Sequence, residues 1–203
     1  LPIYDAILSL IEGNIVDGVY AYITMQSAQI EEVRSNRIYG SAFMNLDALV
    51  CTSVSENTVS DESYIYAGGA NIINIIGNTI SQSSYIDISG LVSNGSINWN
   101  NIQISSYIHL GGESNLGAVR GNFIIENSFI DDTGLGGINV PTIESNRIGP
   151  YGAFYVGQCS SAGLFGNVIN LGAIWFLYVT QNSSTQGNTL NRGFMYIGNT
   201  SPS

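Results

Sequence analysis

The chain has 203 residues and a formal net charge of −10, with only 10% of its residues charged, against about 25% in an ordinary globular domain. It has no lysine, and its scattered arginines, Arg34, Arg37, Arg120, Arg147 and Arg192, do not form the basic footprint a nucleic-acid binder needs against phosphate charge. Hydrophobic residues at 44%, with seven Phe, twelve Tyr and two Trp, suffice for a core and argue against disorder, while no apolar run approaches the ~20 residues that cross a bilayer as a helix.

Taken in chain order, the predicted elements repeat. Asparagine stands before a short apolar pair in GNIV (Asn14), SNRI (Asn36), ENTV (Asn57), GNTI (Asn78), NNI (Asn100), GNFI (Asn122), SNRI (Asn146), GNVI (Asn167) and GNTL (Asn188), at intervals of 21 to 24 residues. Other columns keep the same register. Three residues before the asparagines stand Ile11, Val33, Val54, Ile75, Ile97, Val119, Ile143, Leu164 and Thr185; two after stand Val16, Ile38, Val59, Ile80, Ile102, Ile124, Ile148, Ile169 and Leu190. Eight after come Tyr22, Met44, Ile65, Ile86, Ile108, Ile130, Phe154, Trp175 and Tyr196, and ten after come mostly Leu46, Ile88, Leu110, Val156 and Leu177. These columns are expected to face a core. The alternation around them has period two, which is the signature of strand.

Each unit therefore holds short strands separated by Gly, Ser and Asn turns, with no room for a helix of about 10 or more residues and no leucine-rich LxxLxLxxN pattern. The solution is a coil that returns above itself every 21 to 24 residues, with parallel strands stacked about 4.8 Å apart. The fold expected is all-β: a right-handed parallel β-helix, or solenoid, of about nine rungs and roughly 43 Å in length. It forms a single domain over residues 1–203, part of a longer chain or assembly. The asparagines suit it twice over. Asn tolerates the left-handed region at a corner, and its amide can donate to and accept from the next rung, forming an internal ladder. Gly13, Gly77, Gly121, Gly166 and Gly187, just before it, allow a tight corner.

The recurrent GNTI, SNRI and GNVI units, spaced by YIDI, YIHL and FYV strands, resemble the right-handed single-stranded β-helix (pectin-lyase-like) superfamily. That group contains pectin lyases, polygalacturonases, periplasmic copper-site maturation proteins, viral tailspikes and surface adhesins. The likeness covers essentially the whole chain and is nearest in character to tailspike, fibre or adhesin modules. It implies architecture, with carbohydrate as the commonest ligand, rather than one activity.

Stacking turns distant residues into neighbours. Nine residues after the asparagines, on the outward side, the chain reads Asn45, Tyr66, Asp87, His109, Asp131, Tyr155 and Phe176; seven after stand Phe43, Tyr64, Tyr85, Tyr107 and Phe129. Asp87 and Asp131, two rungs and roughly 9.6 Å apart, flank the lone His109 near the upper end of the separation used by inverting glycosidases. Were the chain an enzyme, these three are the catalytic candidates, as a glycoside hydrolase. The aromatic residues Tyr64, Tyr66, Tyr85, Tyr107, Phe129 and Tyr155 are the ligand-binding candidates, as flat faces for sugars or for a partner chain. The resemblance weighs against catalysis: polygalacturonases of this shape present three aspartates with a histidine and a basic residue, and lyases present a catalytic Arg or Lys, whereas no arginine of this chain falls in the Asp87–His109–Asp131 column. No cofactor and no metal site is read from the sequence.

Cys51 and Cys159 stand about 24 Å apart by stacking, beyond the reach of a disulfide, and read as reduced core or turn residues. Chain start at Leu1 suggests a trimmed or mature form. The apolar opening IYDAILSLI and the closing GFMYIGNTSPS predict ends covered by neighbouring domains or further copies. The expectation is thus an extracellular, cell-surface or virion-associated structural and binding module, a fibre, spike or adhesin segment contacting glycan or partner chains. It would be homo-oligomeric or flanked by structural domains, without nucleic acid or membrane insertion. The alternatives are the glycoside hydrolase and a self-assembling filament subunit.

Overall fold

In the computed structural model, residues 2–4, 7–68, 71–88, 93–111, 115–132, 142–159, 163–179 and 184–198 are described. Among them regular structure is strand, arranged as a parallel β-solenoid with three parallel sheets. The first sheet carries Tyr64–Ala67, Tyr85–Ile88, Tyr107–Leu110 and Phe129–Asp132 in direct register. The second carries the strands before the asparagines, such as Asn71–Ile76 and Asn115–Arg120. The third consists of nine very short strands, from Ile15–Asp17 to Thr189–Asn191. Two long strands, Tyr22–Arg34 and Phe43–Ser55, run through the first corner without a break; the first of them takes a left-handed φ of 54° at Ser27, where its pairing with the second slips.

The solenoid has about seven turns rather than the nine expected. Of the nine strands in the third sheet, the two outermost have a neighbour on one side only, and in the last coil Thr185 and Leu190, expected inward, are exposed. Elsewhere the columns three before and two after the asparagines are buried, from Ile11 to Leu164 and from Val16 to Ile169. Each such side chain contributes about 1.5–3 kcal/mol by leaving water.

One core column is corrected. Tyr22, Trp175 and Tyr196, expected inward, pair with the outward residues Phe43 and Tyr155, and Ile23, Ile174 and Met195 take the inward places beside Met44 and Phe154. The corner after Asn14 is one residue longer than the others, and those after Asn167 and Asn188 are one shorter. A one-residue slip sends every side chain of a strand to the opposite face. For the same reason Trp175, not Phe176, continues the outward column above Tyr155, while Phe176 pairs with Val156. The side chains of Phe176, Leu177 and Cys159 lie outside the described residues. Cys51 is a buried free thiol, pushed up to about 12 by its burial.

The asparagine ladder runs without a gap. Each asparagine from Asn14 to Asn167 donates both its backbone N–H and an Nδ2–H to Oδ1 of the next, at 2.9–3.0 Å. From Asn36 onward Nδ2 also donates to a carbonyl of the preceding coil, as from Asn78 to Val54 and from Asn100 to Ile75, whereas Asn14 donates to the Glu12 carbonyl of its own coil. Buried amides this fully engaged stabilise a chain of mutually polarised dipoles. The left-handed conformation, however, belongs to the residue before each asparagine. Gly13, Gly77, Gly121, Gly166 and Gly187 adopt it, and so do Ser35, Glu56, Trp99 and Ser145, with φ of 53–59°; these four carry the Cβ penalty that glycine escapes.

Candidate functional site

The first sheet's outward face is built from two columns two residues apart along each strand. In the nearer one the rings of Tyr22, Phe43, Tyr64, Tyr85, Tyr107 and Phe129 stack with centroids 4.9–5.3 Å apart and planes within 11°. Strand spacing and ring thickness nearly coincide, so the stack follows directly from placing one ring per rung. Phe43, Tyr64, Tyr85 and Tyr107 each have a ring on both faces, whereas Phe129 has one on one face and Ala153 on the next rung. Burial first, then the neighbouring phenols Tyr107 and Tyr64 and the carboxylate of Asp87, push the Tyr85 hydroxyl up to about 12.

The second column reads Asn45, Tyr66, Asp87, His109, Asp131, Tyr155 and Trp175 in direct register, so the three catalytic candidates are brought together. His109 Nδ1 lies 2.7 Å from Asp131 Oδ1, an imidazole N–H donating to a carboxylate, with both side chains mostly covered. Asp87, on the other flank, has a buried Oδ1 with no hydrogen-bond partner among the described residues. Its burial raises the carboxyl above the ordinary aspartate range; His109 opposes the rise and Asp131 adds to it. Tyr66 lies over Gly68, where an added Cβ would meet the ring at 2.7 Å. Chemically, the column offers a carboxyl that protonates more readily than usual beside an imidazole already engaged by a second carboxylate.

Two features escaped the sequence reading. A second internal ladder stands one residue before the rings: Ser63, Ser84, Ser106 and Ser128 are fully buried, and their Oγ atoms accept the backbone N–H of Ala42, Ser63, Ser84 and Ser106 on the preceding coil. Its trace was visible in ESY, SSY, SSY and NSF, but serine is common enough here to hide it. The other feature is a break in the ring stack. After Phe129 the column continues with Ala153 and Ala173 before a ring returns at Phe194. Tyr155 and Trp175 lean across the gap, edge-on to Phe129 at 6.4 Å and to Phe194 at 4.7 Å, and a cleft of about 250 Å³ remains beside them.

No family model, curated protein or solved structure matches this chain. The reading of its function therefore rests on its own geometry.

Proposed function

We propose that this solenoid is a structural and binding module, a fibre, spike or adhesin segment of an extracellular, cell-surface or virion-associated protein, whose first-sheet face meets a glycan or a partner chain. In this reading it is a pectin-lyase-like β-helix of the non-enzymatic kind. The observation that carries it is the coincidence of three uninterrupted ladders, of asparagine amides, serine hydroxyls and aromatic rings, across the middle coils. The amides, hydroxyls and rings of these ladders hold rung to rung, which suits a rigid spacer that keeps an exposed face in fixed register. A homo-oligomer or flanking structural domains would set the shaft's length.

A second reading is favoured by one specific feature, the raised carboxyl of Asp87 with its unpartnered oxygen beside the His109–Asp131 pair. In a glycoside hydrolase Asp87 would be the general acid and Asp131 the base, His109 orienting it. Both readings are tested by incubating wild type, Asp87→Asn and Asp131→Asn with a broad polysaccharide panel and following new reducing ends. The structural reading expects no turnover beyond buffer; turnover in wild type that disappears in both variants overturns it.

A further inference from the structure

The cleft where the ring stack fails differs from the rest of the first-sheet face in shape and in charge. Its floor is small: Gly152, Ala153, Gly172 and Ala173. Its walls are Tyr155, Trp175 and Phe194 on the strand side and Tyr151 and Leu171 on the corner side, with Arg192 at the lip. Tyr151, Leu171 and Arg192 hold left-handed backbone, with φ of 57°, 57° and 52°, an unfavourable conformation for side chains of this size. Tyr151 is 74% exposed and Tyr155 is 41% exposed. In the middle coils the rings stack in parallel with centroids about 5 Å apart; here Tyr155 and Trp175 stack more loosely, 6.3 Å apart with planes 22° apart, and Tyr155 is steeply inclined to Phe129, so the close parallel column is not continued.

The charge is distributed unevenly to match. All 15 Asp and Glu residues lie at or before Glu144, accompanied by Arg34, Arg37 and Arg120, whereas residues 145–203 contain Arg147 and Arg192 and no acid. The −10 of the whole chain is therefore −12 up to Glu144 and +2 beyond it. Arg147 is engaged over the ring of Phe123 at 5.6 Å, while Arg192 has no carboxylate partner among the described residues.

We infer that this cleft binds one pyranose residue bearing a single carboxylate, at the end of an otherwise neutral glycan. This deepens the glycan arm of the proposed function and rests on it. The pyranose ring places its C–H face against Tyr155 and Trp175, the geometry in which aromatic side chains accept apolar sugar surface, and its carboxylate pairs with the guanidinium of Arg192, whose planar fork suits that group. A polyanionic chain is disfavoured. It would have to run on across coils that carry a charge of −12, and like charge repels approach along the whole shaft.

The test uses the whole chain, with binding followed by NMR saturation transfer and calorimetry at low salt. The probes are 3′-sialyllactose, methyl β-D-glucuronide, lactose and hexagalacturonate; the first two distinguish a nonulosonic from a uronic acid. Sialyllactose or the glucuronide is expected to bind at least tenfold more tightly than lactose and than hexagalacturonate. Arg192→Gln should reduce that preference to within about twofold of lactose while leaving lactose unchanged, and Trp175→Ala, checked for an unaltered circular dichroism spectrum, should weaken all saccharides. A second closing variant, Ala153→Phe, fills the cleft without removing a wall and should abolish binding if Trp175→Ala fails to fold. Equal binding of acidic and neutral probes, or tighter binding of hexagalacturonate, overturns the inference and leaves the glycan reading standing. Binding of saccharide that none of the three variants alters also overturns it, placing the glycan elsewhere. No binding by any probe overturns both the inference and the glycan arm.

Discussion

The middle coils, from Tyr64 to Asp132, and the last coils, from Ala153 to Ile197, share one fold and differ at one corner. In the middle coils the chain turns from the third sheet to the first through two consecutive left-handed residues, Asp61 and Glu62, Gln82 and Ser83, Ile104 and Ser105, or Glu126 and Asn127, and then a buried serine. In the last coils a single left-handed residue, Tyr151, Leu171 or Arg192, is followed by glycine. The glycine at this corner brings backbone over backbone. A Cβ on Gly172 would stand 2.6–2.8 Å from Ile148 Cγ2 and from two glycine carbonyl oxygens, and one on Gly152 would stand 2.3 Å from the carbonyl oxygen of Ile124. There the serine ladder stops, and the ring column lapses into alanine. The comparison teaches that the columns depend on the corner that precedes them: where two left-handed residues and a buried serine make the turn, the ring column is filled, and where one left-handed residue and a glycine make it, the column falls to alanine and a cleft stands beside it.

The contrast can be broken from either side. The largest effects are expected from Gly172→Ala and Asn100→Ala, each costing about 3 kcal/mol in denaturant unfolding. The first drives a methyl into backbone that cannot yield; the second orphans the Asn78 backbone N–H and the Ile75 carbonyl at once. The same asparagine change at Asn188, half-exposed at the ladder's end, should cost about 1 kcal/mol, and equal losses at both positions would contradict a cooperative ladder. Next, Tyr85→Leu removes two parallel ring contacts and should cost about 1–2 kcal/mol, whereas Tyr151→Leu, outside any ring pair among the described residues, should change stability by less than about 0.5 kcal/mol.

Smaller effects sharpen the comparison. Glu56→Gly relieves a left-handed non-glycine residue and should raise stability by several tenths of a kcal/mol to about 1; a loss would show that the Glu56 carboxylate bond to Ser35 Oγ outweighs the strain. The pH dependence of the Asp87 column has a definite sign. Its carboxyl is raised in the folded state, so the stability it contributes is present below the unfolded aspartate range and is lost as pH rises through the raised value. Asp87→Asn should therefore raise the melting temperature at pH 7 and give no gain near pH 3. A gain that persists undiminished at pH 3 would assign the effect to packing rather than ionisation.

Much of the fold was legible because its cause is periodic. The asparagines, the Ile and Val columns and the ring column recur at one spacing, and a stacked coil is the arrangement that makes each residue its own neighbour's partner. The candidate column of Asp87, His109 and Asp131 was legible for the same reason, since equal spacing on three rungs puts them in one line. What failed to show were departures of a single residue. Tyr22, Trp175 and Tyr196 changed faces because their corners are one residue longer or shorter, and no local pattern distinguishes such a slip from an ordinary turn.

By itself, then, the sequence determined the parallel stacking of the rungs, the asparagine ladder and the near-absence of charge inside the stack, because these follow from repetition and from the cost of burying unpaired groups. Tertiary structure alone decided which face of a ring meets solvent. In the middle coils the rings stack in parallel, whereas beside Ala153 and Ala173 they pair tilted or edge-on, because a ring's orientation depends on what occupies the neighbouring rung.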